Sequence, residues 1–318
     1  FCNVPQRCVI EEQDVPTSIY ELPQMLAQQE LDDIVLDLLG LPESELQIDR
    51  YHELLDRIRN PQGQVEVALV GKYIELTDAY KSVYEALAHG GFAAEAKVRV
   101  RRVASDDVTP ERVKEMLGGV HGIVVPGGFG ERGIEGKIET IRYARENGIP
   151  FLGLCLGMQC ATVEFARNVC GLEGAHSTEF DEDTPHPVID LMPDQRGLEK
   201  GGTMRLGAYR CALRAGSRAR EFYDDEIVHE RHRHRYEFNN AYRARLEDAG
   251  LFVGGVNPER DLVEIVELHD HPYFVAVQYH PEFKSKPTRA HPLFREWVAA
   301  AIRHMEETVP QEESARVQ

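Results

Sequence analysis

The feature that most constrains the fold of this chain is a regular alternation of strand-like and helix-like segments between residues 65 and 168. Short runs rich in Val, Ile and Leu alternate with longer segments in which apolar residues recur at helical spacing. The strand-like runs are residues 65–70, 98–103, 121–125 and 149–154, and the helix-like segments are residues 79–89, 133–147 and 156–168. Alternation of this kind is typical of a parallel sheet that is covered by helices on both faces.

The carboxyl-terminal half adds three strand-like runs and a last helix at about residues 292–305. The three runs are residues 251–256, 262–268 and 273–279. We therefore predict an α/β fold with a mostly parallel central sheet, helices on both faces and added antiparallel strands. Within it, Gly90 and Gly91 are expected to end the helix that starts near residue 79, because glycine is a common helix stop.

The first 60 residues differ in sequence pattern from the rest of the chain. Four prolines interrupt them, with short helical patterns between the prolines. The sequence Asn60-Pro61-Gln62-Gly63 is a strong turn signal. We therefore expect one segment at residues 1–60, the main domain at residues 65–306, and a polar, disordered tail at residues 307–318.

Charge and composition exclude several classes of function. The formal net charge is −18, whereas binding to nucleic acid generally requires a basic surface. No run of 18 apolar residues is present, and the first residues lack the pattern of a signal peptide. The six cysteines form no C-x-x-C pair and show no metal-ligand spacing. We expect a cytoplasmic protein with no membrane segment, no nucleic-acid partner and no metal site.

The sharpest chemical motif is Gly153-Leu154-Cys155-Leu156-Gly157, between a predicted strand and a predicted helix. This is a nucleophile elbow, in which glycines permit a sharp turn that projects the nucleophile at the carboxyl end of the strand. The helix that follows points its amino terminus at the sulfur and favours the thiolate. The backbone N–H of Leu156 is then placed to bind an oxyanion. The alternative is a buried structural cysteine.

A cysteine nucleophile needs an acid–base partner, and the segment Gln278-Tyr279-His280-Pro281-Glu282 supplies a candidate at the end of another predicted strand. His280 can carry a proton to the leaving amine. Glu282 can hold the imidazole in the required tautomer, as the third member of a triad does.

A glycine-rich loop, Pro126-Gly127-Gly128-Phe129-Gly130, follows a buried strand. The N–H of Gly128 could complete an oxyanion hole with that of Leu156, because bare backbone can approach a ligand closely. A phosphate-binding loop is a weaker alternative, since neither G-x-x-x-x-G-K-[ST] nor G-x-G-x-x-G occurs in the chain. A plain tight turn is the third interpretation.

The loop, the elbow and the segment Tyr279-His280-Pro281-Glu282-Phe283, in this order, resemble the class I (triad) glutamine amidotransferases. Further segments resemble one family within that class, the CTP synthases. These segments are residues 1–5, 71–76, 79–82, 201–207 and 230–237. The resemblance extends from residue 1 to about 300. It implies a flavodoxin-like core and the hydrolysis of L-glutamine through a cysteine thioester.

Members of that family make CTP from UTP, ATP and ammonia released from glutamine, in pyrimidine nucleotide biosynthesis. The resemblance implies that ATP, UTP and Mg²⁺ belong to an amino-terminal synthetase domain, of which residues 1–60 match only the final piece and the linker. Gln13, Asp14 and Val15 match a stretch that lines the adenine of ATP. The glutaminase domain itself is expected to need no cofactor, and the full-length enzyme is expected to be a homotetramer.

The resemblance also implies a glutamine pocket that includes Gly128, Leu156, Gln159, Glu179 and Arg235. Arg235 could pair with the α-carboxylate of the substrate, and Glu179 could receive its α-ammonium group. Gln159 lies one helical turn past the nucleophile and is expected to face the same way. Glu179 could instead be a solvated loop acid, and the basic run around Arg235 a surface strip for acidic partners.

The segment at residues 201–207 resembles a lid that is linked, in this family, to activation by GTP as an allosteric effector. Arg205 is its expected anion contact, although a plain hairpin connection would look much the same in sequence.

Two other functions stay open. The chain could be another cysteine hydrolase of the same fold, such as a peptidase or deglycase. In those enzymes the histidine follows soon after the cysteine, and residues 156–175 contain none. It could also be a non-catalytic assembly domain, against which the intact set of Cys155, His280 and Glu282 argues.

Overall fold

A computed structural model describes residues 3–191 and 204–308 of the chain. The strands are β1 Gly63–Gly71, β2 Ala96–Ala104, β3 Ile123–Val125, β4 Phe151–Leu154, β5 His176–Ser177, β6 Pro187–Asp190, β7 Arg205–Leu213, β8 Ile227–His234, β9 Glu237–Phe238, β10 Phe252–Asn257, β11 Leu262–Glu267 and β12 Phe274–Val277. The α-helices are α1 Leu22–Ala27, α2 Leu31–Leu39, α3 Asp49–Arg59, α4 Lys81–Ala93, α5 Val113–Leu117, α6 Ile134–Glu146, α7 Leu156–Asn168, α8 Arg218–Tyr223, α9 Arg243–Asp248 and α10 Pro292–Thr308.

The central sheet of the described chain has nine strands in the order β2-β1-β3-β4-β12-β11-β10-β7-β8. The first five of these are mutually parallel, and the remaining pairings are antiparallel. A smaller sheet has the order β5-β6-β9. The expected α/β class, with a mostly parallel core and added antiparallel strands, is therefore confirmed.

Both faces of the parallel part of the sheet are buried, as parallel sheets require. Successive residues of β1 point to opposite faces: Val67 and Leu69 pack in one apolar cluster, and Ala68 and Val70 pack in the other. Helices α4 and α10 pack against each other on the first face, and α6 and α7 do so on the second. This arrangement leaves the carboxyl ends of β3, β4 and β12 together at one edge of the sheet.

The expected stop at Gly90 and Gly91 is wrong, because α4 continues to Ala93. Both glycines are buried at close contacts. A Cβ on Gly90 would lie 2.9 Å from the carbonyl oxygen of Phe294, and one on Gly91 would lie 2.6 Å from that of Ala96. These glycines allow α4 to approach its neighbours closely, which is a packing role rather than a capping role.

The amino-terminal segment ends with α3 at Arg59, and β1 begins at Gly63 after the predicted turn. Helix α10 continues to Thr308, so the first two residues of the expected tail are helical. Residues 309–318 of that tail, and residues 201–203 of the expected lid, lie outside the described residues. In the described parts of the chain, no helix has the length and apolar character needed to cross a membrane.

Candidate active site

Cys155 lies between the end of β4 and the first turn of α7, and its backbone is strained. Its φ is 54° and its ψ is −104°, a region that residues with a side chain rarely adopt. Its N–H donates to the carbonyl of Val277 at 2.7 Å. A Cβ on Gly157 would lie 2.1 Å from the carbonyl oxygen of Val125, and one on Gly153 would lie 2.9 Å from the Cβ of Ala276. The glycines of the motif are thus required by close packing around the turn.

The sheet brings the two distant parts of the predicted triad together. Strands β4 and β12 are parallel neighbours in register, with Leu154 opposite Val277. His280 therefore follows β12 at the same edge where Cys155 follows β4. The imidazole is hydrogen-bonded to the Cys155 thiol, and its Nδ1 lies 2.7 Å from Oε1 of Glu282. Cys155, His280 and Glu282 form one connected chain.

The electrostatics of His280 favour a charged imidazole. Burial lowers the pKa of His280, but the neighbouring Cys155 and the hydrogen bonds from Cys155 and Glu282 outweigh burial and raise this pKa to about 10. A protonated imidazole beside a cysteine can serve as the proton donor of a cysteine hydrolase.

The glycine-rich loop lies directly over this pair. A Cβ on Gly127 would lie 3.0 Å from Cε1 of His280 and 3.4 Å from Cβ of Cys155. A Cβ on Gly128 would be in contact with the side chain of Leu156 at 3.7 Å. The two predicted oxyanion donors, Gly128 and Leu156, are therefore neighbours. Leu156 is the first residue of α7, where backbone N–H groups have no acceptor within the helix.

The predicted pocket residues Glu179 and Arg235 also lie at this loop. The Glu179 carboxylate accepts a hydrogen bond from the N–H of Gly130. Burial raises the pKa of Glu179, and Gly130, Arg235 and Lys72 oppose that rise in decreasing order. Arg235 is thus close enough to Glu179 to interact with it. Glu179 and Arg235 therefore form a pair of opposite charges, which suits the ammonium and carboxylate groups of an amino-acid substrate.

Two glutamine side chains contact each other beneath the elbow, and one of them was missed by sequence reasoning. Gln159 is buried and donates to the Tyr236 carbonyl at 3.1 Å and to Oε1 of Gln278 at 3.3 Å. Gln278 in turn donates to the sulfur of Cys155 at 3.8 Å. The usable signal for Gln278 was its position two residues before His280, because alternate residues of a strand share a face.

Arg205, the expected effector contact, is buried and paired with two carboxylates in this structure. It is 2% exposed. Its guanidinium lies 3.2 Å from Glu237 and 2.7 Å from Glu264. Burial raises the pKa of both carboxyl groups, and Arg205 opposes that rise. The guanidinium is enclosed by the fold, because β7 and β11 both present charged side chains to the interior. The role of Arg205 as an anion contact stays a prediction.

The expected ATP residues lie in an irregular segment before α1. Gln13 and Asp14 are exposed, Val15 is half-buried, and the Gln13 amide donates to the Glu11 carboxylate at 2.8 Å. Among residues 3–191 and 204–308, no group of three or more His, Cys, Asp or Glu side chains is arranged to hold a metal ion.

The chain is similar to proteins of one family. The model of the class I glutamine amidotransferases matches residues 75–300. The CTP synthase of Caldanaerobacter subterraneus subsp. tengcongensis is 58% identical over 303 residues, which are 95% of this chain and 56% of that protein. The CTP synthase of Halalkalibacterium halodurans is 56% identical over 304 residues, which are 95% of this chain and 57% of that protein. The chain thus spans a little over half the length of these curated relatives.

A solved structure agrees with the sequence comparisons. The glutaminase domain of Trypanosoma brucei CTPS, with bound acivicin, superposes with a TM-score of 0.70 at 38% identity. The match covers 75% of this chain and 94% of that domain. The resemblance seen in the motifs is thereby confirmed over most of the chain. The protein belongs to the class I glutamine amidotransferases and, within them, to the CTP synthase family, of which it matches the carboxyl-terminal part.

Proposed function

We propose that this chain hydrolyses L-glutamine to glutamate and ammonia through a thioester on Cys155. The observation that carries the proposal is the connected set of Cys155, His280 and Glu282, with a protonated imidazole between a sulfur and a carboxylate. This arrangement has the nucleophile, the proton donor and the orienting group that amide hydrolysis by a cysteine requires.

In the first half of the reaction, the Cys155 thiolate attacks the side-chain amide carbon of glutamine. The oxygen becomes an oxyanion that the N–H groups of Gly128 and Leu156 bind. His280 then gives its proton to the amide nitrogen, so that ammonia leaves and a thioester forms. Glu282 keeps Nδ1 of the imidazole bonded, which directs Nε2 toward the reacting atoms.

In the second half, neutral His280 takes a proton from water as the water attacks the thioester. The carbon–sulfur bond breaks, glutamate is released, and the imidazolium–thiolate pair is restored. Glu179 and Arg235 are proposed to hold the α-ammonium and α-carboxylate of the substrate, since they place both charges beside the loop that carries Gly128.

We propose that, in a protein as long as the relatives named CTP synthase, the ammonia serves the ATP-dependent amination of UTP to CTP. The identity to proteins named CTP synthase supports this. Gln13 and Asp14, which match the ATP-lining stretch, are exposed, and Gln13 is hydrogen-bonded to Glu11. No step of the amination is therefore assigned to residues of this chain.

The test is glutamine hydrolysis by the purified chain and by a matched pair of cysteine variants. Cys155→Ala should abolish ammonia release and labelling by acivicin. Cys160→Ala is the control, because burial raises the pKa of the Cys160 thiol to about 12 and keeps it protonated. That variant should keep activity within a few-fold of the parent. Hydrolysis that survives in Cys155→Ala, or acivicin found on another residue, would refute the proposal.

A further inference from the structure

Lys137 is a buried, potentially cationic side chain that the proposed reaction does not yet use. It lies in the first turn of α6, and its side chain is 0% exposed. Its Nζ is buried and makes no hydrogen bond within the described part of the chain. An ammonium group withdrawn from water without a partner destabilises a fold. Such a group is expected to be replaced by an apolar residue unless it serves another purpose.

The ammonium group lies beneath the loop of the active site. The Nζ of Lys137 would be 3.8 Å from a Cβ placed on Gly128, whose other neighbour at this distance is Leu156. Lys72 donates from its own Nζ to the carbonyl of Phe129 at 2.6 Å. Two lysines therefore lie at this loop: Lys72 is half-buried and hydrogen-bonded, and Lys137 is enclosed next to Gly128.

Four titratable groups act on Lys137, and they come from α7, from the segments after β1 and β2, and from the elbow. Burial lowers the pKa of Lys137, and Cys160 from α7 opposes this shift. Lys72, after β1, lowers the pKa further, whereas Asp106, after β2, and Cys155 raise it. Negative charge on the nucleophile and positive charge on Lys137 therefore favour each other.

We infer that Lys137 is a positioning residue for the amidotransferase reaction. Its ammonium group holds Gly128 against the elbow and stabilises, through that loop, the negative charge that forms on the bound oxyanion. The inference rests on the proposed glutamine hydrolysis. Electrostatic stabilisation inside a dry site is strong and needs no rearrangement when the charge appears. The ammonium group of Lys137 thus destabilises the fold but raises the rate of glutamine hydrolysis.

The test is Lys137→Met, which replaces the ammonium by an unbranched apolar side chain of similar length. We expect a higher melting temperature than the parent, since a buried charge without a partner is removed. We expect kcat for glutamine hydrolysis to fall about 10- to 100-fold, somewhat less than the loss of a direct oxyanion donor. KM should stay within about threefold, because ground-state binding is not affected.

Lys114→Met is the matched control, because it makes the same change in net charge at an exposed position of α5. It should leave kcat, KM and melting temperature unchanged. A second neutral variant, Lys137→Gln, is measured in the same way. It should show the same loss of kcat at parental KM, which would separate the charge of Lys137 from its packing.

Several results would overturn the inference. Parental kcat in either folded neutral variant would show that the charge has no effect on catalysis. A lowered kcat accompanied by a raised KM and a lower melting temperature would show a packing role alone, as would failure of both variants to fold. If the parent and Lys114→Met do not release ammonia from glutamine, the proposed function fails instead.

Discussion

Cys155 holds a backbone conformation that costs a residue with a side chain about 1–3 kcal/mol. Hydrogen bonds on both sides keep it there: its N–H binds Val277, and its carbonyl accepts from Met158 and Gln159. The side chain is contacted by His280 and, at 3.8 Å, by the Gln278 amide. The strained turn places Cβ of Cys155 3.4 Å from the Cβ position of Gly127, beside the glycine-rich loop.

The raised pKa of His280 leads to a prediction about pH. Because this pKa is about 10, the imidazole keeps its proton until the pH approaches that value. We expect kcat/KM for glutamine to fall only as the pH rises through about 10. In Glu282→Gln the fall should occur at lower pH, since Glu282 helps to raise the pKa of His280. A basic limb near pH 6.5 in the parent would contradict the assignment.

Arg235 provides a prediction about substrate binding. Loss of a charge-assisted contact to the substrate carboxylate costs roughly 1.5–3 kcal/mol, so Arg235→Ala should raise KM for glutamine roughly 10- to 100-fold. The change in kcat should be much smaller. Arg231→Ala, at an exposed position of β8, should keep the parental KM. Equal KM values for the two variants would favour the basic surface strip over the pocket.

At the scale of elements, the site depends on how closely β3, β4 and α7 cross. The first turn of α7 packs on the end of β3, with Gly157 facing the carbonyl of Val125. No side chain fits between them. The same close packing holds α4 at Gly90 and Gly91. In both places glycine sets the distance between neighbouring elements. At Gly157, the short distance between α7 and β3 places Cys155 next to the glycine-rich loop that follows β3.

Gly157→Ala tests this requirement. Its Cβ would lie 2.1 Å from the Val125 oxygen, so the helix or the strand must shift. Overpacking of this severity is expected to destabilise the fold by on the order of 3 kcal/mol and to abolish glutamine hydrolysis. Gly63→Ala is the control, because nothing lies within 4 Å of its Cβ position. Equal melting temperatures for the two variants would show that the elbow tolerates a side chain.

At the scale of the whole molecule, the parallel part of the sheet carries the candidate active site, and the antiparallel part carries buried charged side chains. The parallel strands end in the loop with Gly128, the elbow and His280. The antiparallel strands enclose charged side chains, with Arg205 between Glu237 and Glu264. The amino-terminal segment joins the main domain through Tyr20, whose hydroxyl lies 2.8 Å from Nε2 of His89 in α4.

A last prediction concerns CTP formation by the whole chain. The 318 residues, supplied with UTP, ATP, Mg²⁺ and either glutamine or ammonia, should form no CTP above background. Activation of UTP by ATP requires phosphate-binding and Mg²⁺-binding groups, and the chain contains no P-loop motif. The same preparation should release ammonia from glutamine slowly. CTP detected by chromatography would contradict the assignment of these residues to the glutaminase reaction alone.

The sequence by itself was enough to determine the α/β class, the elbow at Cys155 and the strand-end position of His280. These features depend on residues that are close in the chain: the spacing of apolar side chains and the steric freedom of glycine. Only the tertiary structure decided that Gln278 contacts Cys155, that Arg205 is enclosed by Glu237 and Glu264, and that Lys137 lies beneath Gly128. The contacts of Gln278 and Arg205 join segments far apart in the chain, whereas Lys137 and Gly128 lie on the loop and helix that follow one strand. In all three cases the neighbours of a buried polar group depend on how the fold brings the elements together.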